Sequence, residues 1–153
     1  MHADRRAEQI HTSVLLPECM HYLAPQAGRI YVDGTLGLGG HTAAILAASA
    51  PDGRVIAFEW DDSALQLAEK RLAGYGDRLT IVRRNFAELA AGLDELGIEQ
   101  VDGLLIDIGL SSLQLDMGER GFSFQSDEML DMRMDNRGAT TAQSILATGS
   151  EQE

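Results

Sequence analysis

Four short apolar runs recur along this chain, each separated from the next by a stretch of helical periodicity, and that alternation limits the fold more than any other feature. Ile30-Tyr31-Val32-Asp33, Arg54 to Glu59, Leu79 to Arg83 and Val101 to Ile106 are nearly all apolar at their centres. Such runs read as strands buried on both faces, the pattern of a parallel sheet covered by helices. Between them, His41 to Ala50 predicts a helix stopped by the turn Pro51-Asp52-Gly53. Ser63 to Tyr75 sets Leu65, Ala68 and Leu72 on one helical face. A third helix begins at Asn85, with Glu88 completing a capping-box pattern, and buries Leu89, Leu93 and Leu96 before Gly97 ends it. Ahead of the first strand, Ser13 to Leu23 predicts a short helix with Pro17 in its first turn, where no amide donor is needed. The sequence therefore predicts an α/β fold.

In a doubly wound sheet of this kind strand one is central, strands two and three run to one edge, and strand four lies on its other side. Strand four is then an edge carrying Leu104, Leu105 and Ile106. A long apolar edge is an aggregation template unless something pairs with it. The chain is accordingly expected to be the N-terminal part of a longer protein, or to cover that edge in a homodimer. Beyond Ile108 the rhythm stops. Residues 109–138 are rich in Gly, Ser, Asp and Met without a period, and loops of that length are usually functional or disordered. Thr140 to Ala147 predicts one more short helix. The expected organisation is a leader and helix over 1–28, a core over 29–109, and a loop region over 110–153.

Length and composition agree with one domain: 153 residues, 44% hydrophobic and 24% charged. The leader is polar, and no apolar run is long enough for a membrane span or a secretory signal. Cys19 is the single cysteine, which excludes an internal disulfide and any multi-cysteine zinc site and fits a cytoplasmic protein. Lys+Arg 12 against Asp+Glu 24 leaves a net charge of -12, whereas a protein held by nucleic-acid phosphates is expected to carry a basic patch. The basic residues gather at Arg54, Lys70, Arg71, Arg78, Arg83 and Arg84, and Arg120, Arg133 and Arg137 are expected to pair with neighbouring aspartates. Charge alone votes against nucleic acid.

The strongest local motif is Val32-Asp33-Gly34-Thr35-Leu36-Gly37-Leu38-Gly39-Gly40-His41-Thr42, set between a strand and a helix. Glycines there let backbone approach a ligand, and the helix start offers it free amides. A dinucleotide fingerprint read from Gly37 would need glycine where Thr42 stands, and no Walker lysine follows the glycines. Nicotinamide and triphosphatase sites are therefore disfavoured, and a nucleoside ligand stays open. Glu59 ends strand two about twenty residues after Gly39, where a carboxylate can accept from ribose hydroxyls. Asp61 or Asp62 reads as a helix cap rather than a metal ligand, and no metal is expected. Asp107 ends strand four. Asp33, Gly39, Glu59 and Asp107 thus converge at the carboxyl ends of the strands, where open α/β sheets bind ligands.

These residues resemble the small-subunit ribosomal RNA methyltransferase H family, bacterial enzymes that use S-adenosylmethionine (SAM) to methylate the N4 amine of a cytidine in 16S ribosomal RNA. The resemblance runs through His11 to Leu16 (HTSVLL), Val32 to Thr42 (VDGTLGLGGHT), Asp107 to Asp116 (DIGLSSLQLD), Arg120 to Phe124 (RGFSF) and Leu130 to Asp135 (LDMRMD). It implies a Rossmann-like class I SAM-dependent methyltransferase fold, of which the chain holds the first four strands. By the same resemblance Gly39, Gly40 and His41 line the cofactor pocket and Glu59 binds the ribose, where the family usually has aspartate. Phe86 packs by the adenine, and Asp107 and Gln114 complete the site. Family members are roughly twice as long, with a helical domain inserted after the LDMRMD region. The chain is expected to stop near the start of that insertion.

The implied chemistry moves a methyl from sulfonium to an exocyclic amine whose lone pair is delocalised into the ring. A site helps by accepting the amine N–H bonds and by holding nitrogen, methyl and sulfur in line. Asp107, or carbonyls around Gly109 to Ser111, are the candidate acceptors, with Ser111 or Ser112 orienting a base presented unstacked. The implied partner is the small ribosomal subunit. Two other readings fit the sequence: a module that binds SAM without turnover, and another nucleoside-cofactor enzyme on the same fold.

Overall fold

The computed structural model describes residues 13–110, 114–115, 120–123 and 127–150. The chain divides into two compact units, Met1–Ile108 and Gly109–Glu153. Among the described residues no helix is long and apolar enough to cross a membrane.

The first unit contains α1 (Leu16–Leu23), β1 (Ile30–Asp33), α2 (Gly40–Ala48), β2 (Arg54–Phe58), α3 (Asp62–Leu72), β3 (Leu79–Val82), α4 (Leu89–Glu95) and β4 (Gly103–Leu105). The four strands are all parallel, in the order β3-β2-β1-β4, as the sequence predicts. Side chains alternate across a strand, so each face gathers every second residue. Tyr31, Val55 and Ala57 face one layer with Ile45 and Leu46 of α2 and Ala68 and Leu72 of α3. Val32, Ile56 and Phe58 face the other, with Leu93 of α4. Each such side chain removed from water contributes about 1.5–3 kcal/mol, which is what fixes register: a one-residue slip would exchange the two layers. Small residues set the helix-to-sheet distance. A Cβ on Gly92 would stand 2.7 Å from the Phe58 ring, and one on Gly103 would stand 2.5 Å from Leu23 of α1.

Three expectations need correction. Only β1 and β2 are buried along most of their length; β3 is half-buried throughout and β4 is exposed at Leu104, because both lie at sheet edges. Asn85 accepts from the amide of Ala87 rather than Glu88, whose amide turns to the Asn85 carbonyl. The predicted capping box is therefore a single turn of 3-10 helix, Phe86–Glu88, ahead of α4. Leu96 falls beyond the last turn of α4 and is exposed.

In the second unit Thr141 and Ser144 form a reciprocal capping box that starts α5 (Ala142–Thr148). The amides of Ala142 and Gln143 donate to the carbonyls of Asp131 and Leu130. Arg133 pairs with Asp131 and Arg137 with Asp135, each at 2.6 Å. Arg120 donates to the carbonyls of Arg133 and Met134. Met129 and Met132 are exposed.

Candidate functional site

Four strand ends meet one glycine-rich turn. β1 ends at Asp33, which is fully buried. Its Oδ1 accepts from the amide of Thr35 (3.1 Å) and its Oδ2 from the hydroxyl of Thr42 (2.7 Å). Burial pushes this carboxyl above its ordinary range, and the nearby Asp107 pushes the same way; the two hydrogen bonds and His41 oppose them. The hydroxyl of Thr35 in turn accepts from the amide of Asp107 (2.7 Å), so the turn after β1 is tied to the end of β4. Sequence reasoning names Thr42 only as a departure from a dinucleotide fingerprint and gives Thr35 no role. An aspartate that closes a strand ahead of a turn is the available signal, because its side chain accepts from the amide two residues on.

The turn then enters α2. Gly39 adopts a left-handed φ of 77° as the N-cap, a conformation that favours glycine. A Cβ there would lie 2.7 Å from Leu72, and one on Gly40 would collide with the Ser13 hydroxyl. The buried His41 donates from Nε2 to the carbonyl of Val14 (3.0 Å). Ser13 and Val14 therefore lie beside the start of α2.

Glu59 follows β2 and is half-buried. Its Oε2 accepts from the amide of Gly37, and its Oε1 from those of Trp60 and Asp61, all at 2.9 Å. Asp61 caps α3 by accepting from Ser63, as expected. Phe86, beyond β3, is partly exposed. A Cβ on Gly34 would meet Ile106 at 3.0 Å and Phe86 at 3.3 Å, so both side chains border the end of β1. Asp107 is exposed past β4.

The structure thus brings Gly39, Gly40, His41, Glu59, Phe86 and Asp107 to the carboxyl ends of the strands. Gln114 belongs to the second unit, and Ser111 and Ser112 lie outside the described residues. The gathered set offers donors at a helix start, carboxylate acceptors on two strand ends and an aromatic face between them. Four of the basic residues are held by the chain itself. Arg83 pairs with Asp62, Arg84 pairs with Glu95, Arg71 donates to the Leu38 carbonyl, and Arg78 donates to the carbonyls of Leu46 and Gly53.

The fold is shared with known proteins. A SAM-dependent O-methyltransferase of Thermotoga maritima superposes with a TM-score of 0.53 at 25% identity, over 69% of this chain and 40% of its own. The ribosomal RNA small subunit methyltransferase H of Desulfotalea psychrophila is 66% identical over 96% of this chain and 50% of its own length. That of Geotalea uraniireducens is 56% identical over 92% and 45%. The chain spans about half the length of the curated relatives it matches. Residues 8–153, the glycine turn and all four strand ends included, match one family throughout, and with the parallel sheet in the predicted order the chain belongs to the MraW methylase family.

Proposed function

We propose that the protein binds SAM at the carboxyl ends of β1, β2 and β4 and serves methylation of the N4 amine of a cytidine in 16S ribosomal RNA, in the cytoplasm. The observation that carries this reading is the family match over residues 8–153 together with the convergence of Gly39, Glu59, Phe86 and Asp107. The residues fit such a cofactor: a glycine turn brings backbone to the strand ends, and helix amides favour an anionic group. Glu59 offers an acceptor for ribose, and Phe86 an apolar face for adenine.

When bound, SAM supplies an electrophilic methyl on a sulfonium. Asp107 accepts an N–H bond from the incoming amine, which localises the nitrogen lone pair for in-line attack. Thr35, bonded to the Asp107 amide, sets where that carboxylate stands. Ser111 orients the base, and Gln114 completes the cofactor site. The small ribosomal subunit is the proposed partner. A second reading of the same site is SAM binding without turnover.

Calorimetric titration with SAM, followed by transfer of labelled methyl to small-subunit RNA, tests both. One-site binding with transfer supports the enzyme, and binding without transfer supports the second reading. No binding by a folded chain overturns the site. In a chain that transfers methyl, Asp107→Ala is expected to abolish turnover, and unchanged turnover would remove Asp107 from the mechanism.

A further inference from the structure

We propose that Glu59 reads only one of the two ribose hydroxyls of a bound nucleoside, because its carboxylate is already committed to three backbone amides. The inference rests on the nucleoside reading of the site given above and adds to it which contacts that carboxylate is able to make.

An ionised carboxylate offers about four lone-pair sites, two on each oxygen. In Glu59 the amides of Trp60 and Asp61 take both sites on Oε1, and the amide of Gly37 takes one on Oε2. One acceptor site remains, on Oε2. A vicinal diol gripped by a carboxylate in the two-pronged manner needs a vacant site on each oxygen, and Oε1 has none. The amides are not free to yield. Trp60 and Asp61 follow Glu59 directly and lead into the cap of α3, and the Gly37 bond joins the glycine turn to β2. The extra methylene of glutamate over aspartate is what lets the carboxylate reach the glycine turn. Stapling the turn to β2 and gripping a diol with both oxygens are thus competing uses of one side chain, and here the staple takes three of the four sites.

Hydrogen bonds to a charged acceptor are roughly twice as strong as neutral ones. The hydroxyl held by Glu59 therefore matters more than its neighbour, whatever the neighbour meets. The test is calorimetry on the native chain with S-adenosylhomocysteine and its 2′-deoxy and 3′-deoxy analogues. The two deoxy analogues are expected to differ in affinity by about fivefold or more. A smaller difference overturns the inference while leaving the site intact, and failure of the parent compound to bind overturns the site reading and the inference together. Glu59→Gln, which removes the charge, is expected to narrow the gap. Should it not fold, Glu59→Ala, which removes the acceptor altogether, is expected to narrow it as well. A gap that persists in a folded variant assigns the discrimination to another residue and refutes the role given to Glu59.

Discussion

The hydroxyl of Thr42, in the first turn of α2, donates to Oδ2 of Asp33 at the end of β1 across 2.7 Å, and neither side chain is reached by solvent. The bond locks the helix start to the central strand. Burial lifts the Asp33 carboxyl above its ordinary value of 3.8. The folded state therefore holds that proton more tightly than the unfolded chain does. Its contribution favours folding below pH 3.8 and is lost as pH rises through the raised value. Asn at this position keeps an acceptor for Thr35 and gives a donor that the Thr42 oxygen accepts, without a buried charge. Asp33→Asn is thus expected to be more stable than the native chain at pH 7, by about 1 kcal/mol or more, with the difference shrinking toward pH 4. Thr42→Val strips the carboxylate of a partner and is expected to cost about 1–3 kcal/mol. Urea unfolding at both pH values decides, and an Asp33→Asn chain less stable at pH 7 contradicts the account.

Gly39 and Gly37 separate two costs of a side chain in the glycine turn. Both have positive φ, 77° and 51°. A Cβ on Gly37 meets nothing nearer than 3.9 Å, whereas one on Gly39 stands 2.7 Å from Leu72. Gly37→Ala is expected to lose only the conformational part, about 1–2 kcal/mol. Gly39→Ala adds a clash with a core leucine and is expected to exceed it, at about 2–4 kcal/mol in all. Thermal unfolding of the two variants checks the order; equal losses would mean that Leu72 moves aside freely.

Much of this was legible in the sequence because burial writes a period into it. The parallel order of the strands and the face shared by Leu65, Ala68 and Leu72 follow from apolar spacing alone. Strands are shorter than the apolar runs suggest: Ile106 is of strand-favouring type and Arg83 directly follows Ile81-Val82, yet pairing stops at Leu105 and Val82. Composition does not reveal where a neighbour runs out. In the site, strand-end position was enough to gather Gly39, Glu59 and Asp107, since that follows from topology. The links among them were not visible. Glu59 reads as an open carboxylate, but it accepts three amides, because a side chain two bonds longer than its backbone turn can fold back onto it. The same local habit, a side-chain oxygen accepting from the amide two residues on, recurs at Asp33, Asp61 and Asn85. It turns the chain out of β1, β2 and β3 in succession.

Leu104 and Leu105 are neighbours on β4 with opposite surroundings. Leu105 is 9% exposed and Leu104 48%. Leu105→Ala is expected to destabilise by about 2–4 kcal/mol, as buried leucines do. Leu104→Ala is expected to stay below about 1 kcal/mol, because most of its transfer energy is never gained. Paired denaturation curves test the contrast, and similar losses would mean that the outer face of β4 is covered in solution.

In the second unit Arg133 holds Asp131 by a two-pronged ion pair, Nε to Oδ1 at 2.7 Å and Nη2 to Oδ2 at 2.6 Å. These hydrogen bonds lower the Asp131 carboxyl to about 2. A depressed folded value means the pair supports the fold above the ordinary value of 3.8, and that support is lost as pH falls through about 2. Arg133 also donates to the carbonyls of Asn136 and Gly138, while the Asp131 carbonyl receives the Ala142 amide at the start of α5. One guanidinium thus closes residues 131–138 into the platform on which α5 begins. Arg133→Met should return the Asp131 titration toward its ordinary range, seen by carboxyl NMR. It should also speed hydrogen exchange at Ala142 and Gln143 by about tenfold. A normal titration with unchanged exchange would leave the ion pair real but the platform independent of it.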